Sequence, residues 1–560
     1  MKRNYDLKSI HYKEISDFES LAEAKKTEGR IKLSLYNAIK RDFDLNNPAL
    51  TYRSAIISYK ELLQNIDVYA RKLYKLGVRK DTKVCLICPN CPQTVYLIYA
   101  LNKIGAISLI LFPTTTEYEA LQKIDEVECE YFFTTDIFVR KYPNVQAKLY
   151  TYLISMFDYL NKVEKAYLLA IYNKDIQLLD KNILLNNIED DTSIDFEINN
   201  DCMKPSFYLG SGGTTGKSKI IVLNDKGINT VSNYCAYILR KRQKDLINTS
   251  MMALIPFFHG YGLTMGLHAP LYNGACSALF VKFDVNAVIT AIKKNRINYM
   301  ISVPYMIRKI LENRRFYSKG LKYLTHVFIG ASHPEYSLLK TFDEAMTKYN
   351  SSGEILEGYG LTEVSTVNVV SRKGEKKYLS VGKPLPFVKA KIATKDNYFV
   401  TENNVIGELC LNSETIMLNY YNEELNNDIY IVDSDGRKYL KTGDLAYIDE
   451  DGFIYIVGRI KNIIKISGYT IFPEDICKVA CQNFLVKDAA VKVFSDGTHK
   501  QIYLYLEVER KHQTEDLVLD VQNALKEKLI KYAQPYKIVV VDNLPRNNAG
   551  KIDYLKLERE

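Results

Sequence analysis

Short apolar runs alternate with amphipathic stretches of helical length from about residue 50 to residue 455. Residues 82–88 and 106–112 are two such runs, and residues 94–103 between them have helical periodicity. Consecutive parallel strands need a crossover that is usually a helix, so this alternation predicts an α/β fold of helix-covered, mostly parallel sheets. Ligands of such folds bind beyond the carboxyl ends of the strands, where the glycine and polar clusters of this sequence fall.

The second half of this region continues the pattern. Further strands are predicted at residues 206–210, 251–256, 299–303 and 327–329. A helix is predicted at residues 226–240, and another runs from a cap at Asp284 to Lys294. A third follows the last of these strands and has Pro334 in its first turn.

The chain of 560 residues is too long for a single hydrophobic core. Its pattern changes near Gly458, after which the order is strand, helix, two strands, helix, strand and a polar tail loop. The two central strands are predicted at residues 487–494 and 501–509, and the second helix at residues 514–530. We therefore expect a large N-terminal domain at residues 1–458 and a small α+β domain at residues 459–560.

Composition and charge exclude several classes of protein. The apolar fraction is 47% and the charged fraction 25%, as in ordinary globular proteins. No apolar stretch is long enough for a membrane span, and none follows the charged N-terminus, so we expect a cytoplasmic protein without an integral membrane segment. The net charge of +9 is dispersed rather than concentrated in basic runs, so we expect no nucleic-acid partner. A mild positive excess suits polyanionic small ligands.

The ten cysteines show only one spacing typical of a metal site, between Cys88 and Cys91. A zinc site needs a second pair of ligands at a matching spacing, and none follows. Structural thiols in a reducing compartment are the favoured interpretation.

The glycine-rich segment 210–219 is the strongest local motif. Its glycines allow a tight turn that presents backbone N–H groups to phosphate oxygens, and its threonines and lysines add donors and charge. Gly216-Lys217-Ser218 resembles the end of a P-loop, but Ser211 stands where that motif requires glycine. A P-loop NTPase therefore stays an alternative, and a flexible surface loop is another.

This segment and five others, in order, resemble the signatures of the adenylate-forming superfamily, which includes acyl-CoA synthetases, luciferases and the adenylation domains of peptide synthetases. The other segments are residues 256–262 (PFFHGYG), 358–363 (GYGLTE), 441–445 (KTGDL), 458–461 (GRIK) and 544–552 (LPRNNAGKI). The resemblance covers roughly residues 30 to 560 and is closest to acyl-CoA synthetases. Ser218 and Ile220 depart from the proline and glycine usual in the first segment.

The resemblance implies that a small carboxylic acid is activated with ATP and Mg²⁺ to an acyl-adenylate, with release of pyrophosphate, and then passed to coenzyme A. It assigns nucleotide binding to these residues: Gly212, Gly213, Thr214, Thr215, Gly216, Lys219, Gly330, Ala331, Ser332, Gly358, Tyr359, Gly360, Thr362, Asp444, Ile456, Arg459, Lys465 and Lys551. It assigns catalysis to Lys551, Thr362, Glu363 and His259, with Glu363 as the metal ligand.

Physical chemistry supports these assignments. The ring of Tyr359 offers a flat face for adenine, and the Asp444 carboxylate accepts hydrogen bonds from both ribose hydroxyls. Arg459 donates to the same ribose. Glu363 supplies the hard oxygen that Mg²⁺ prefers. Lys551 stabilises the negative charge that develops on the phosphates as pyrophosphate leaves.

The acyl pocket implied by the resemblance is largely apolar. We assign to it Phe257, Phe258, His259, Tyr261, Val303, Met306, Ile329, Ala331 and Val364. None is an acidic partner for the ammonium group of an amino acid, so we expect a fatty or aryl acid. His259 is interpreted equally well as a gate between the acyl and nucleotide pockets or as a hydrogen-bonded histidine at a strand end.

The thiol acceptor is the less determined part of the reaction. Ser467, Gly468 and Tyr469 resemble the segment that lines the pantetheine tunnel, and Lys461 has the hinge position. In Pro473-Glu474-Asp475-Ile476-Cys477, however, Asp475 and Cys477 replace glutamates of the family pattern. A ligase that loads the phosphopantetheine thiol of a carrier protein stays an alternative to coenzyme A, and a catalytically silent binding module is a third hypothesis.

Overall fold

The computed structural model describes residues 14–41, 44–166, 169–170, 183–210, 219–331, 334–466, 469–495, 500–546 and 551–559. Within these residues the strands are β1 (Pro48–Tyr52), β2 (Ala55–Ser58), β3 (Lys83–Ile87), β4 (Ile107–Leu111), β5 (Tyr131–Thr135), β6 (Tyr150–Ile154), β7 (Pro205–Gly210), β8 (Ile220–Asn224), β9 (Ser250–Ala253), β10 (Cys276–Leu279), β11 (Tyr299–Ser302), β12 (His326–Ile329), β13 (Glu354–Leu361), β14 (Thr366–Val370), β15 (Lys383–Pro384), β16 (Val388–Ala393), β17 (Gly407–Ser413), β18 (Asn419–Tyr420), β19 (Tyr430–Val432), β20 (Lys438–Ile448), β21 (Ile454–Arg459), β22 (Ile464–Ile466), β23 (Tyr469–Ile471), β24 (Val486–Ser495), β25 (Lys500–Val508) and β26 (Lys537–Val541).

The α-helices within the same residues are Asp17–Lys26, Leu35–Ile39, Tyr59–Lys75, Pro92–Ile104, Glu117–Val127, Pro143–Lys148, Asp225–Asn233, Cys235–Ile238, Ala269–Tyr272, Val285–Lys294, Pro304–Leu311, Tyr336–Lys348, Pro473–Ala480 and Glu515–Lys528. The described residues 162–166 are also helical, and further helical elements include a π-helical turn at Gly262–His268 and short 3₁₀ turns such as Thr362–Val364 and Ile460–Asn462. None of the described helices is both long and apolar enough to cross a membrane.

Local sequence explains where these helices begin and end. Ser58 caps the helix Tyr59–Lys75 and forms a capping box with Glu61. Gly105 ends the helix Pro92–Ile104 in the left-handed region, with φ of 87°. Asp284 caps the helix Val285–Lys294 as predicted, and its carboxylate accepts from the N–H of Ala287 at 2.7 Å.

Two large sheets dominate the structure and confirm the predicted α/β class. One has the strand order β18-β8-β7-β4-β3-β5-β6 and the other β15-β14-β13-β12-β11-β9-β10-β1-β2. The central strands of both sheets pair in parallel, and antiparallel pairs occur only toward the edges of the sheets. Helices cover the sheets, and one hydrophobic cluster extends through this part of the chain to Ile454.

A third, antiparallel sheet at residues 388–459 departs from the predicted βα alternation. Its strand order is β16-β17-β20-β19, with β21 paired to β20. Asp-Gly turns connect its strands. In one turn the Asp433 carboxylate accepts from the N–H groups of Asp435 and Arg437, and in another Asp449 accepts from those of Asp451 and Phe453.

The C-terminal region has the order predicted from the sequence except at its start, where two strands replace the single predicted one. A hairpin of β22 and β23 is followed by a helix, β24, β25, a second helix and β26. Its hydrophobic cluster begins at Ile464 and is separate from the cluster that extends to Ile454. A domain boundary at residues 458–459 stays a prediction, and these separate clusters support it.

Two local predictions were wrong. The expected helix at residues 226–240 is two helices, Asp225–Asn233 and Cys235–Ile238. Pro334 lies before the helix Tyr336–Lys348, and Glu335 is the capping residue. Because proline is compatible with the residues preceding a helix as well as with its first turn, its position alone does not fix where the helix begins.

Candidate active site

A cleft of about 1770 Å³ lies between the large sheets and the C-terminal region. Three segments predicted to bind nucleotide reach it: Gly358–Glu363 from the end of β13, Asp444 from β20 and Arg459 from the end of β21. Lys551 of the tail loop also lines the cleft. Strand ends of two different sheets and the tail loop therefore converge on one cavity.

The hairpin of β13 and β14 requires glycine at position 360. A Cβ atom there would lie 1.5 Å from the carbonyl oxygen of Thr366, on the neighbouring strand. The pairing register shifts between Tyr359 and Gly360, and Ser365 has a left-handed φ of 60°. This local distortion re-aims the strand, and Tyr359 and Thr362 both line the cleft.

Tyr359, Asp444 and Arg459 form one hydrogen-bonded unit. The hydroxyl of Tyr359 donates to Oδ2 of Asp444 at 2.7 Å, and Nε of Arg459 lies 2.9 Å from Oδ1. The residue Asp444 is only 3% exposed. Burial raises the pKa of its carboxyl group, and the charge of Arg459 opposes that rise. The arginine thus favours the ionised carboxylate that recognition of a ribose needs.

Glu363 and Lys219 face a shared tyrosine. Oε1 of Glu363 accepts from the hydroxyl of Tyr420 at 3.0 Å. Nζ of Lys219 lies 4.3 Å from the centroid of the same ring, and all three residues line the cleft. The Glu363 carboxylate offers a hard oxygen ligand that fits Mg²⁺, and the Lys219 ammonium offers a charge that fits phosphate oxygens.

Lys551 is held by the base of its own loop. Arg546 and Ile552 form an antiparallel bridge, and the N–H of Asp553 donates to the carbonyl of Pro545 at 2.8 Å. Burial lowers the pKa of Lys551, as does the neighbouring Arg459, whereas Asp444 and Glu363 oppose that change. The lysine is therefore within electrostatic reach of Arg459, Asp444 and Glu363.

His259 is neutral in this environment. Its Nδ1 accepts from the backbone N–H of Tyr261 at 3.1 Å, which leaves the proton of the neutral ring on Nε2. Burial and the nearby Lys551 lower its pKa to about 3. The hydrogen bond is what the interpretation as a strand-end histidine expects. The ring also lines the cleft, which is the location that the interpretation as a gate expects.

The predicted acyl-pocket residues fall into two groups. His259, Tyr261, Ile329 and Ala331 line the cleft. The remaining residues do not line it: Phe257, Val303, Met306 and Val364 are in the hydrophobic core, and Phe258 is half-buried with its ring centroid 4.6 Å from that of Phe112.

Apolar residues that were not predicted for the acyl pocket also line the cleft. The cleft is also lined by Ile238, Met265, Phe328, Val367 and Val370. Val367 and Val370 are on β14, directly after the GYGLTE segment, so a hairpin prediction at that point would have found them. No signal in the sequence marks Ile238 or Met265.

The remaining predicted residues are placed as follows. Gly330, Gly358, Gly360 and Ile456 line the cleft, as does Ala331 in a left-handed conformation with φ of 71°. Lys461 also lines it, from the turn Ile460–Asn462, whereas Lys465 is exposed on β22 and does not. Outside the described residues lie Gly212, Gly213, Thr214, Thr215, Gly216, Ser332, Ser467 and Gly468, and only the backbone of Tyr469 is described.

Carboxyl groups that were not predicted as site residues also line the cleft, among them the buried Glu357 and the half-buried Glu474. Glu357 accepts from the N–H of Leu379 at 3.0 Å, and burial raises its pKa to about 8. Glu474 packs against Gly458, where a Cβ atom would lie 2.7 Å from Oε2 of the glutamate. Burial also raises the pKa of Glu474. The sequence marks Glu474 only as part of a segment that departs from the family pattern.

Comparison with known proteins gives matches along most of the chain. A family model described as AMP-binding enzyme matches residues 40–421. The chain is 28% identical over 515 residues to the probable CoA ligase CCL5 of Humulus lupulus, covering 90% of this chain and 88% of that protein. It is 24% identical over 532 residues to the long-chain-fatty-acid–CoA ligase of Bacillus subtilis, covering 90% of each.

Solved structures share the fold. The O-succinylbenzoate coenzyme A synthetase from Bacillus subtilis, in complex with ATP and magnesium ion, superposes with a TM-score of 0.73 at 22% identity. The match covers 94% of this chain and 99% of that one. The two large sheets and the small C-terminal region are therefore a known arrangement.

Proposed function

Because the chain belongs to the AMP-binding enzyme family, we propose that it is an AMP-forming acid–CoA ligase that acts on a fatty or aryl acid. In the first step a carboxylate oxygen attacks the α-phosphorus of ATP, the bond to the bridging β-phosphate oxygen breaks, and pyrophosphate leaves. In the second step the sulfur of coenzyme A attacks the acyl carbon, loses its proton, and displaces AMP.

One observation carries the proposal: Tyr359, Asp444, Arg459, Glu363 and Lys551 line a single cleft, although they come from distant parts of the chain. An aromatic face, a ribose-binding carboxylate and a cation near the phosphates are the groups that an adenylate needs. A P-loop NTPase would need neither the aromatic face nor the ribose-binding carboxylate in this arrangement.

The residues have separate tasks in the first step. Asp444, aligned by Tyr359 and Arg459, holds the ribose hydroxyls. Lys551 stabilises the charge that develops between the α-phosphate and the attacking carboxylate. Glu363 and the phosphates would hold Mg²⁺, which when bound neutralises phosphate charge. Thr362 donates to the α-phosphate.

The substrate class rests on the apolar side of the cleft. Ile238, Met265, Phe328, Val367 and Val370 present hydrocarbon surface there. Each buried methylene of a ligand contributes about 0.8 kcal/mol on such a surface. The names of the relatives include both a long-chain-fatty-acid–CoA ligase and a 2-succinylbenzoate–CoA ligase, at 24% and 27% identity, so both acid classes belong in the proposal.

The two steps make different demands on the C-terminal region. Adenylation needs Lys551 in the cleft, and thioester formation needs room for the pantetheine arm. We propose that residues 459–560 turn as a domain about Lys461, with Ser467, Gly468 and Tyr469 forming the thiol tunnel after the turn. The separate hydrophobic clusters support this, because a turn between them leaves both cores intact.

The test is to incubate the protein with ATP, Mg²⁺ and a panel of fatty, aryl and amino acids, with and without coenzyme A. We expect acid-dependent AMP and pyrophosphate, and a thioester only with coenzyme A. ADP and phosphate as the acid-dependent products would contradict the proposal and favour a P-loop NTPase. An adenylate transferred only to a phosphopantetheine carrier protein would change the assigned acceptor, and efficient use of amino acids would contradict the substrate class.

A further inference from the structure

A cluster of charged side chains joins the large part of the protein to its C-terminal region. Arg308, on the helix Pro304–Leu311, and Glu335, which precedes the helix Tyr336–Lys348, come from the large part. Asp488 on β24 and Arg546 at the start of the tail loop come from the C-terminal region. All four line the cleft on the side of the helix Pro473–Ala480.

One carboxylate oxygen lies between two guanidinium groups of this cluster. Oδ2 of Asp488 accepts from Nη2 of Arg546 at 2.5 Å and lies 3.6 Å from Nη1 of Arg308. Nη2 of Arg308 donates to Oε1 of Glu335 at 2.5 Å. Arg546 also donates to Glu507 at 3.0 Å. The two arginines are therefore linked across the boundary through Asp488.

Arg546 connects this cluster to the loop of Lys551. It pairs with Ile552 in the bridge at the base of that loop, one residue after the lysine. Its guanidinium carbon lies 4.7 Å from the ring centroid of Tyr305, which is on the same helix as Arg308. The position of Arg546 therefore sets the position of the strand that leads out of Lys551.

We propose that Arg308 is a positioning residue for adenylation, which holds Asp488, and through it Arg546, in the orientation that keeps Lys551 in the cleft. This inference rests on the proposed function, since it assigns Arg308 to the first of the two steps. Arg308 itself touches no group predicted to contact nucleotide or acid in the described structure. It acts through the placement of the C-terminal region.

The burial and pairing of Arg308 explain how its contact with Asp488 can form and also break. The residue is 9% exposed, and among the described residues its Nη1 has no hydrogen-bond partner, so Asp488 answers its charge only from 3.6 Å. Glu335 stays bound to Arg308 whichever way the C-terminal region faces, since both belong to the large part. Parting from Asp488 therefore leaves the arginine paired, and Nη1 gains water.

A metal ion is the competing explanation of this cluster. Ligand atoms of Glu335, Cys481 and Asp488 lie within 4.8 Å of one another. Both carboxylates, however, already pair with arginines at 2.5 Å. Two guanidinium groups beside the carboxylates disfavour a cation there, so we assign the cluster to ion pairing between the two parts of the protein.

The test separates the two half-reactions in Arg308→Met. We expect single-turnover adenylation to fall about 10- to 100-fold, as loss of one charged contact predicts, and transfer from isolated acyl-adenylate to coenzyme A to stay within about twofold of the unmodified protein. Arg308→Lys, which keeps a charge, should recover part of the adenylation rate. The control is Lys340→Met, which removes an exposed lysine paired only with Glu344 on its own helix among the described contacts. An equal loss in both half-reactions, or no loss in either, would overturn the proposal.

A distance measurement keeps this inference separate from the proposed function. Spin labels on Tyr118→Cys and Leu519→Cys, both exposed, report the placement of the C-terminal region against the large part. We expect Arg308→Met to broaden the distance distribution, with Lys340→Met unchanged. If no acid supports adenylation, the proposed function fails and this distribution alone decides the role of Arg308. An unchanged distribution in Arg308→Met overturns it.

Discussion

The hydroxyl of Tyr359 and the carboxylate of Asp444 lie 2.7 Å apart, although 85 positions separate them in the chain. Tyr359 is on β13 of a large sheet and Asp444 on β20 of the antiparallel sheet. The bond fixes an aromatic ring and a carboxylate as one surface across two sheets. A nucleoside binding there meets a surface that is already assembled, which reduces the ordering cost of binding.

Asp444→Asn should raise the KM for ATP about 10- to 100-fold, with a smaller effect on the KM for the acid. The change removes the charge that pairs with Arg459 and the acceptor capacity proposed for the ribose. Initial rates of pyrophosphate release at varied ATP measure it. Asp451→Asn, at an exposed turn of the same sheet, is the matched control. An unchanged KM for ATP would remove Asp444 from nucleotide binding.

Lys551→Ala should slow adenylation about 10²- to 10³-fold, the usual effect of losing one positioned transition-state donor. Thiol attack on a supplied acyl-adenylate should be spared, because pyrophosphate has already left. Single-turnover assays of each half-reaction measure the difference. Lys526→Ala, an exposed lysine on the helix Glu515–Lys528, should change neither. A parallel loss of both half-reactions would give Lys551 a different role.

Lys461→Pro should leave adenylation largely intact and strongly reduce thioester formation. Lys461 lies in the 3₁₀ turn Ile460–Asn462, and 3₁₀ turns typically have φ of about −50° to −70°, a range that proline accepts. A proline is therefore compatible with the present orientation of the C-terminal region. Its fixed φ should hinder rotation of that region to a second orientation. Lys461→Ala should be mild in both steps, because the proposal concerns backbone freedom rather than charge. Pyrophosphate exchange and transfer from isolated adenylate measure the two steps, and equal retention of both in the proline variant would place the hinge elsewhere.

Replacing His268 should weaken the dependence of stability on pH. Its Nδ1 accepts from the Tyr99 hydroxyl and its Nε2 donates to Oδ1 of Asn229, both at 2.8 Å, which suits a neutral ring. Burial, followed by the charge of Arg30, lowers its pKa to about 3. The unfolded chain binds this proton near pH 6.5 and the folded protein near pH 3, so stability from the neutral ring is complete above pH 6.5 and is lost as pH falls toward 3.

Between those limits this one histidine contributes about 1.4 kcal/mol per pH unit to the slope of the unfolding free energy. His268→Gln should lower the slope by that amount, whatever its effect on stability at neutral pH. Urea unfolding of both proteins at several pH values from 4.5 to 6.5 measures the slopes. Identical slopes would show that the histidine is protonated in the folded state.

The sequence predicted the parallel sheets well because their central strands are uninterrupted apolar runs. β3, β4 and β7 each lie within one residue of their predicted limits at both ends. The antiparallel sheet escaped prediction because its signal is different: strands such as β20 contain charged residues and are bounded by Asp-Gly turns such as the one that begins at Asp433. Motif order identified Tyr359, Asp444 and Lys551, residues that the structure brings to one cleft, and their nucleotide-binding role stays a prediction.

The acyl side was harder to predict because apolar residues give the same signal in a core and in a pocket wall. Phe257 and Met306 follow strand ends as predicted, yet they lie in the core and do not line the cleft. Phe328 of β12 belongs to the same core and does line the cleft. Charged contacts across the boundary were equally invisible. Nothing local distinguishes Arg308 from any other arginine near the end of a helix, since its partner Asp488 is on a distant strand.

The contact of Arg546 with the ring of Tyr305 allows the boundary between the large part and the C-terminal region to be followed by fluorescence. The chain contains 43 tyrosines and no tryptophan, so Tyr305→Trp would introduce its single indole at the contact itself. An indole keeps, and strengthens, the attraction between a guanidinium group and a ring face. Light absorbed at the red edge, where tyrosine does not absorb, would then excite one side chain, and its emission would report the proposed departure and return of the tail loop during turnover.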